Sequence, residues 1–189
     1  AEKLAKASPA VRADIAWMLG KRGDAAAAPA LAAALKSDDP ALQAASIDAL
    51  GRLAPQSDQA VAALIDALGN ADKNVATHAQ AVLARTAGES ISKALAQAAG
   101  KAQGPAKAAL IEILTARRSP ETVKLVLEAA QDGSAATKAA AVKAMGELGD
   151  FSVAPKLVDL LMRTQDAGEQ EAIQKSLVMV ANRSPDPQQ

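Results

Sequence analysis

The stretches VRADIAWMLG (11–20), LQAASIDALG (42–51), VATHAQAVLA (75–84), AKAALIEILT (106–115) and TKAAAVKAMG (137–146) decide the fold once they are laid one above another. Their ninth residues are Leu19, Leu50, Leu83, Leu114 and Met145, at intervals of 31, 33, 31 and 31 residues. A weaker sixth copy, EQEAIQKSLV (169–178), sets Leu177 in the same place. Between these runs a second apolar series, Leu31, Leu64, Leu95, Val126 and Leu157. One turn later Leu35, Leu68, Ala99, Ala130 and Leu161 keep the same step. Two hydrophobic series in register over the whole chain make this a repeat protein with two helices per unit.

The punctuation between the series marks helix ends. Ser8-Pro9, Asp39-Pro40 and Ser119-Pro120 each read as an N-cap followed by a first-turn proline. Gly20, Gly51 and Gly146 stand where a second helix should stop, and are expected at or near its C-cap. Asp24 and Asp150 open the following helices, where a carboxylate meets unpaired backbone N–H groups. Pro29 and Pro155, at matching places in two first helices, imply a bend or a late start to the regular helix.

Composition narrows the function classes. The chain has 189 residues, 50% of them hydrophobic, so it can bury a core. About a quarter are alanine, the strongest helix former. Lys+Arg and Asp+Glu both number 21, a balance that argues against a nucleic acid as main partner. With no cysteine and one histidine, cysteine metal sites, thiol nucleophiles and two-histidine centres are excluded. No apolar run reaches the roughly 20 residues of a membrane span.

A pair of short helices cannot bury its apolar stripe alone, so successive pairs must stack. The expected fold is all-α, a right-handed α-solenoid (superhelix) of about six two-helix repeats, the first truncated. It should span residues 1–182, with 183–189 (RSPDPQQ) a flexible tail or linker. Leu4, one period before Leu35, would place the start of the chain partway through a first helix, as in a module of a larger protein.

VRADIAWMLGKRGDAAAAPALAAAL (11–35) and AVKAMGELGDFSVAPKLVDLL (141–161) resemble short bacterial HEAT repeats, the variety also found in phycobilisome-lyase-like proteins. The first segment carries the family's Val11-Arg12, Leu19-Gly20, Gly23-Asp24, Pro29, Leu31 and Leu35. The third and fourth units depart from it, with Ala84 and Thr115 in place of the glycine. Tetratricopeptide repeats would need a tyrosine, and the chain has none. Ankyrin repeats would need a Thr-Pro-Leu-His start, which no unit shows. The resemblance implies an interaction scaffold. It also permits an alternative, a lyase-like or chaperone-like protein holding a tetrapyrrole in a concave groove.

The residues themselves offer no active site. His78 stands alone in VATHAQAVLA, without a nucleophile or metal ligand beside it, and reads as a partly buried helix histidine. Iron-binding hydroxylases built on HEAT repeats use recurring His-Glu pairs, whereas Ala79 follows His78. GKRGD (20–24) and GKAQGPAK (100–107) lack the spacing of a phosphate-binding loop. Arg117 and Arg118 read as helix C-terminal charges.

Trp17 is the informative exception. It occupies the seventh position of its stretch, where the other copies carry Asp48, Ala81, Glu112, Lys143 and Lys175. With positions one, five and nine facing inward, the seventh should face solvent, and an exposed Trp is an apt binding anchor. The seventh and eleventh positions together give a row of mixed sign, with i,i+4 pairs such as Asp48–Arg52 and Lys143–Glu147. Trp17, Asp48, Arg52, Arg85, Glu112 and Lys143 are the candidate partner-binding residues. The expected partner is a protein or a neighbouring domain of the parent chain. No nucleic acid, membrane span, cofactor or metal is implied, and the module is expected to be monomeric.

Overall fold

A computed structural model of the chain describes residues 4, 7–119, 122–131 and 134–183. Six second helices carry the quoted stretches: α1 (Pro9–Arg22), α3 (Pro40–Leu53), α5 (Lys73–Arg85), α7 (Gly104–Ala116), α9 (Ala135–Leu148) and α11 (Ala167–Ala181). The first helices alternate with them: α2 (Ala28–Ala34), α4 (Asp58–Ala67), α6 (Glu89–Lys101), α8 (Thr122–Ala129) and α10 (Ala154–Arg163). The fold is all-α, as the periodicity requires.

The chain divides into two compact units, residues 1–95 and 96–189. In the first, α3 packs between α1 and α5 in one layer, and α2 lies beside α4 in the other. In the second, α9 packs between α7 and α11, while α8 lies against α7 and α9, and α10 against α11. The leucine series fill the space between layers. Leu50, Leu83, Leu114 and Met145 are fully buried, as are Leu31, Leu64, Leu95 and Leu157. Burying one such side chain is worth about 1.5–3 kcal/mol, so the repeated leucines supply the main cohesive term. Leu19 and Leu177, at the two extremes of the series, are only half-buried.

The aspartate caps form where the spacing places them. Asp39 accepts hydrogen bonds from the N–H groups of Ala41 at 3.0 Å and Leu42 at 3.3 Å, and Pro40 begins α3. Asp24 and Asp150 cap short 3₁₀ turns, Ala25–Ala27 and Phe151–Val153, which lead into α2 and α10. Pro29 and Pro155 then sit in the first turn of those helices, so the proline delays the regular helix without breaking it. Ser8 precedes α1 with no side-chain cap bond. Pro120 and the tail residues 184–189 lie outside the described residues.

The three glycines are not helix stops. Gly20 lies inside α1, Gly51 inside α3 and Gly146 inside α9. A Cβ on Gly20 would stand 2.6 Å from Ala49 Cα, and one on Gly146 would stand 2.9 Å from Ser176 Cα. One on Gly51 would collide with Val82 Cγ1. In each case the tenth residue of one second helix receives the eighth residue of the next, so the missing side chain lets neighbouring helices close together. The actual end of α1 is Gly23 at φ +70°, a left-handed conformation suited to glycine.

Candidate interaction surface

Trp17 projects from α1 with 48% of its surface exposed. Lys21 Nζ, one turn further along α1, lies 5.1 Å from the ring centroid. Arg52 Cζ approaches it from α3 at 5.9 Å. Both distances fall within the range where a cation is attracted to the face of an indole. The ring is therefore held by two positive groups, one of them from the next repeat.

Asp48 sits at the same seventh position one repeat on. Its Oδ1 accepts a hydrogen bond from His78 Nε2 at 3.0 Å and lies 3.6 Å from Arg85 Nη2, both on α5. This corrects the expected Asp48–Arg52 pair within one helix: Asp48 is drawn to α5 and Arg52 to Trp17 on α1. The rule in this unit is that the eleventh residue of a second helix reaches the seventh residue of the one before it. Arg52 obeys it toward Trp17, and Arg85 toward Asp48. His78 is the partly buried helix histidine expected, and its ring nitrogen holds Asp48.

In the second unit Glu112 is exposed on α7. Lys143, exposed on α9, lies 3.9 Å from Glu147 on its own helix, the expected i,i+4 pair. The Arg183 guanidinium donates to the carbonyl oxygens of Gly146 and Glu147. Arg117 follows the end of α7, and partial burial lowers its pKa from the usual arginine value. Arg118 takes a left-handed conformation at φ 51°, turning the chain out of the helix.

The structure thus ties Trp17 to Arg52 and Asp48 to Arg85 in one unit, and pairs Lys143 with Glu147 in the other. Lys21 and His78 complete the first cluster. The i,i+4 spacing of Trp17 and Lys21 signals the first of these, but the His78 contact spans 30 residues and appears only when repeats are stacked. A groove of about 890 Å³ borders α9, α10 and α11 in the second unit. Its charges largely neutralise one another, with Asp159 between Arg163 at 2.9 Å and Lys156 at 3.7 Å. Among the described residues no group of three or more His, Asp or Glu side chains is placed to hold a metal ion.

No curated protein matches the chain. The family model for HEAT repeats matches residues 1–84 and 91–178, nearly the whole of the 189-residue sequence. With paired helices, a leucine series buried between layers and close helix contacts at glycine, the chain belongs to the HEAT-repeat family.

Proposed function

We propose that this chain is a non-catalytic scaffold that binds a protein, or a neighbouring domain of a longer parent chain, through the second-helix face of residues 1–95. HEAT repeats generally serve protein–protein interaction. The observation that carries the reading is Trp17, half-exposed and held between Lys21 and Arg52. A large aromatic surface fixed before binding loses little conformational freedom when a partner covers it. The neighbouring Asp48, His78 and Arg85 add a polar border of both signs, which favours a mixed-charge protein surface over a polyanion. Glu112 and Lys143 extend the same register positions into the second unit and are the outer candidates.

The test is affinity capture with the immobilised chain, followed by titration of each purified captured protein. Trp17→Ala combined with Arg52→Glu should weaken binding about tenfold or more while leaving the helical circular dichroism unchanged. Since Trp17 is the sole tryptophan, its fluorescence reports contact directly. A genuine partner that binds the double variant as tightly as the wild type defeats the proposal.

A further inference from the structure

We propose that the partner of the Trp17 face presents a short extended segment of acidic character, in which two carboxylates flank an apolar side chain. This deepens the reading above and rests on it. The observation behind it is a row of cations. The eleventh residues of the three neighbouring second helices in residues 1–95 are Lys21, Arg52 and Arg85, and all three are exposed.

Helix polarity alone does not account for the row. A cation in the last turn of a helix meets the negative end of its dipole, and α1, α3 and α5 each carry one there. Yet α7, α9 and α11 follow the same repeat and have no basic residue in their last turns. Their eleventh residues are Ala116, Glu147 and Met179. The row therefore goes with the face that carries Trp17 and not with the repeat as such.

Two of the three cations have no carboxylate to answer them. Lys21 and Arg52 flank the indole of Trp17 at 5.1 and 5.9 Å, and among the described residues neither makes an ion pair. Asp48, one turn before Arg52, is engaged by His78 and Arg85. Asp14 stands two turns before Lys21 on α1, about 10 Å along the helix axis. What remains is an apolar ring between two unneutralised positive groups.

An extended peptide matches that spacing. Its side chains alternate, so those on one face follow one another at about 6.6 Å. The sequence acid–x–apolar–x–acid thus sets its apolar group over Trp17 and a carboxylate near each cation, close to the 5.1 and 5.9 Å that separate them from the ring centre. The Arg52 guanidinium can take its carboxylate by two parallel hydrogen bonds. Asp48, beside Arg85, repels a third acid, which keeps the acidic run short.

The experiment is fluorescence anisotropy of labelled synthetic peptides titrated with the full chain. One peptide carries the core Glu-Ser-Leu-Ser-Glu between glycine–serine flanks, and its controls replace both acids by lysine or by serine. The acidic core should bind about tenfold or more tighter than either control, and the advantage should shrink as salt is raised. Lys21→Glu combined with Arg52→Glu should turn the preference toward the lysine core. Both positions are exposed, and circular dichroism checks that the variants keep their helices. Lysine or serine cores that bind the wild type as tightly as the acidic core overturn the proposal. So does a single-stranded oligonucleotide that binds as tightly, or an acidic core that fails to bind up to millimolar concentration. Trp17→Ala separates this inference from the reading beneath it. Binding that Trp17→Ala abolishes but that ignores peptide charge defeats the acidic partner alone. Acid-selective binding that Trp17→Ala leaves unchanged defeats the Trp17 anchor, and with it the apolar contact assigned here.

Discussion

The two units bury the same leucine series yet tie their second helices together in different ways. In residues 1–95 surface side chains of neighbouring second helices meet one another, Arg52 at Trp17, and His78 and Arg85 at Asp48, and Gln56 Nε2, just past α3, donates to the Gly23 carbonyl at 2.8 Å. In residues 96–189 two buried hydroxyls reach backbone carbonyls of a neighbouring second helix. Thr137 Oγ1 donates to the Gly104 carbonyl at 3.2 Å, and Ser176 Oγ donates to the Val142 carbonyl at 3.0 Å. Thr137 and Ser176 are buried, whereas Trp17, Arg52 and Arg85 are exposed. The repeat thus leaves open where its polar links lie. Links to backbone under the surface serve the stack, and links between exposed side chains also remain available to a partner.

The shared core should respond alike in both units. Leu50→Ala and Leu114→Ala each remove a fully buried side chain and should cost about 2–5 kcal/mol in urea denaturation. A loss below about 1 kcal/mol for either would show that its leucine is not part of a tightly packed core.

Glycine sharpens the contrast between helix contact and helix interior. Gly20→Ala must push against the Ala49 backbone, and Gly146→Ala against Ser176, so both should destabilise by about 1–3 kcal/mol. Gly100, inside α6, has nothing within 4 Å of an added Cβ, and Gly100→Ala should instead stabilise by up to about 1 kcal/mol. Thermal melts of the three variants check the sign directly. A stabilised Gly20→Ala would mean that α1 and α3 do not approach as closely as described.

Much of this was readable from spacing alone. The leucines could be placed because every repeat returns them to the same layer, and Asp24, Asp39 and Asp150 because a cap is a local device. Gly20, Gly51 and Gly146 were misplaced because a glycine near a helix end fits both a stop and a close approach. Only the neighbouring helix, about 30 residues away, distinguishes the two. Asp48 misled for the same reason: Arg52 stands four residues off along one helix, while Arg85 and His78 are nearer in space.

The polar links offer a smaller comparison. Ser176→Ala deletes a buried hydroxyl bonded to Val142 and Ala172 and should cost about 1 kcal/mol. Asp48→Ala removes a partly exposed carboxylate and should cost less, between about 0 and 1 kcal/mol, with the loss shrinking further in high salt. Equal costs would erase the distinction between stack-holding and surface links.

The smallest effect separates two equivalent caps. Asp150 accepts hydrogen bonds from the Ser152 hydroxyl and from the Ser152 N–H, and these hold its carboxyl below the usual value of 3.8. At the corresponding place in the first unit Asp24 accepts from the N–H of Ala26, which has no hydroxyl to add. A carboxyl whose pKa is depressed in the folded state stabilises it above the ordinary aspartate range. That contribution is lost as pH falls through the depressed value. The melting temperatures of wild type and Asp150→Ala should therefore differ by a constant amount near neutrality and converge below about pH 4. In the Ser152→Ala background the pH-dependent part of that difference should be smaller, because the strongest bond to the charged form is gone. A gap that persists unchanged into acid would mean that the ionised state of Asp150 contributes nothing to the turn before α10.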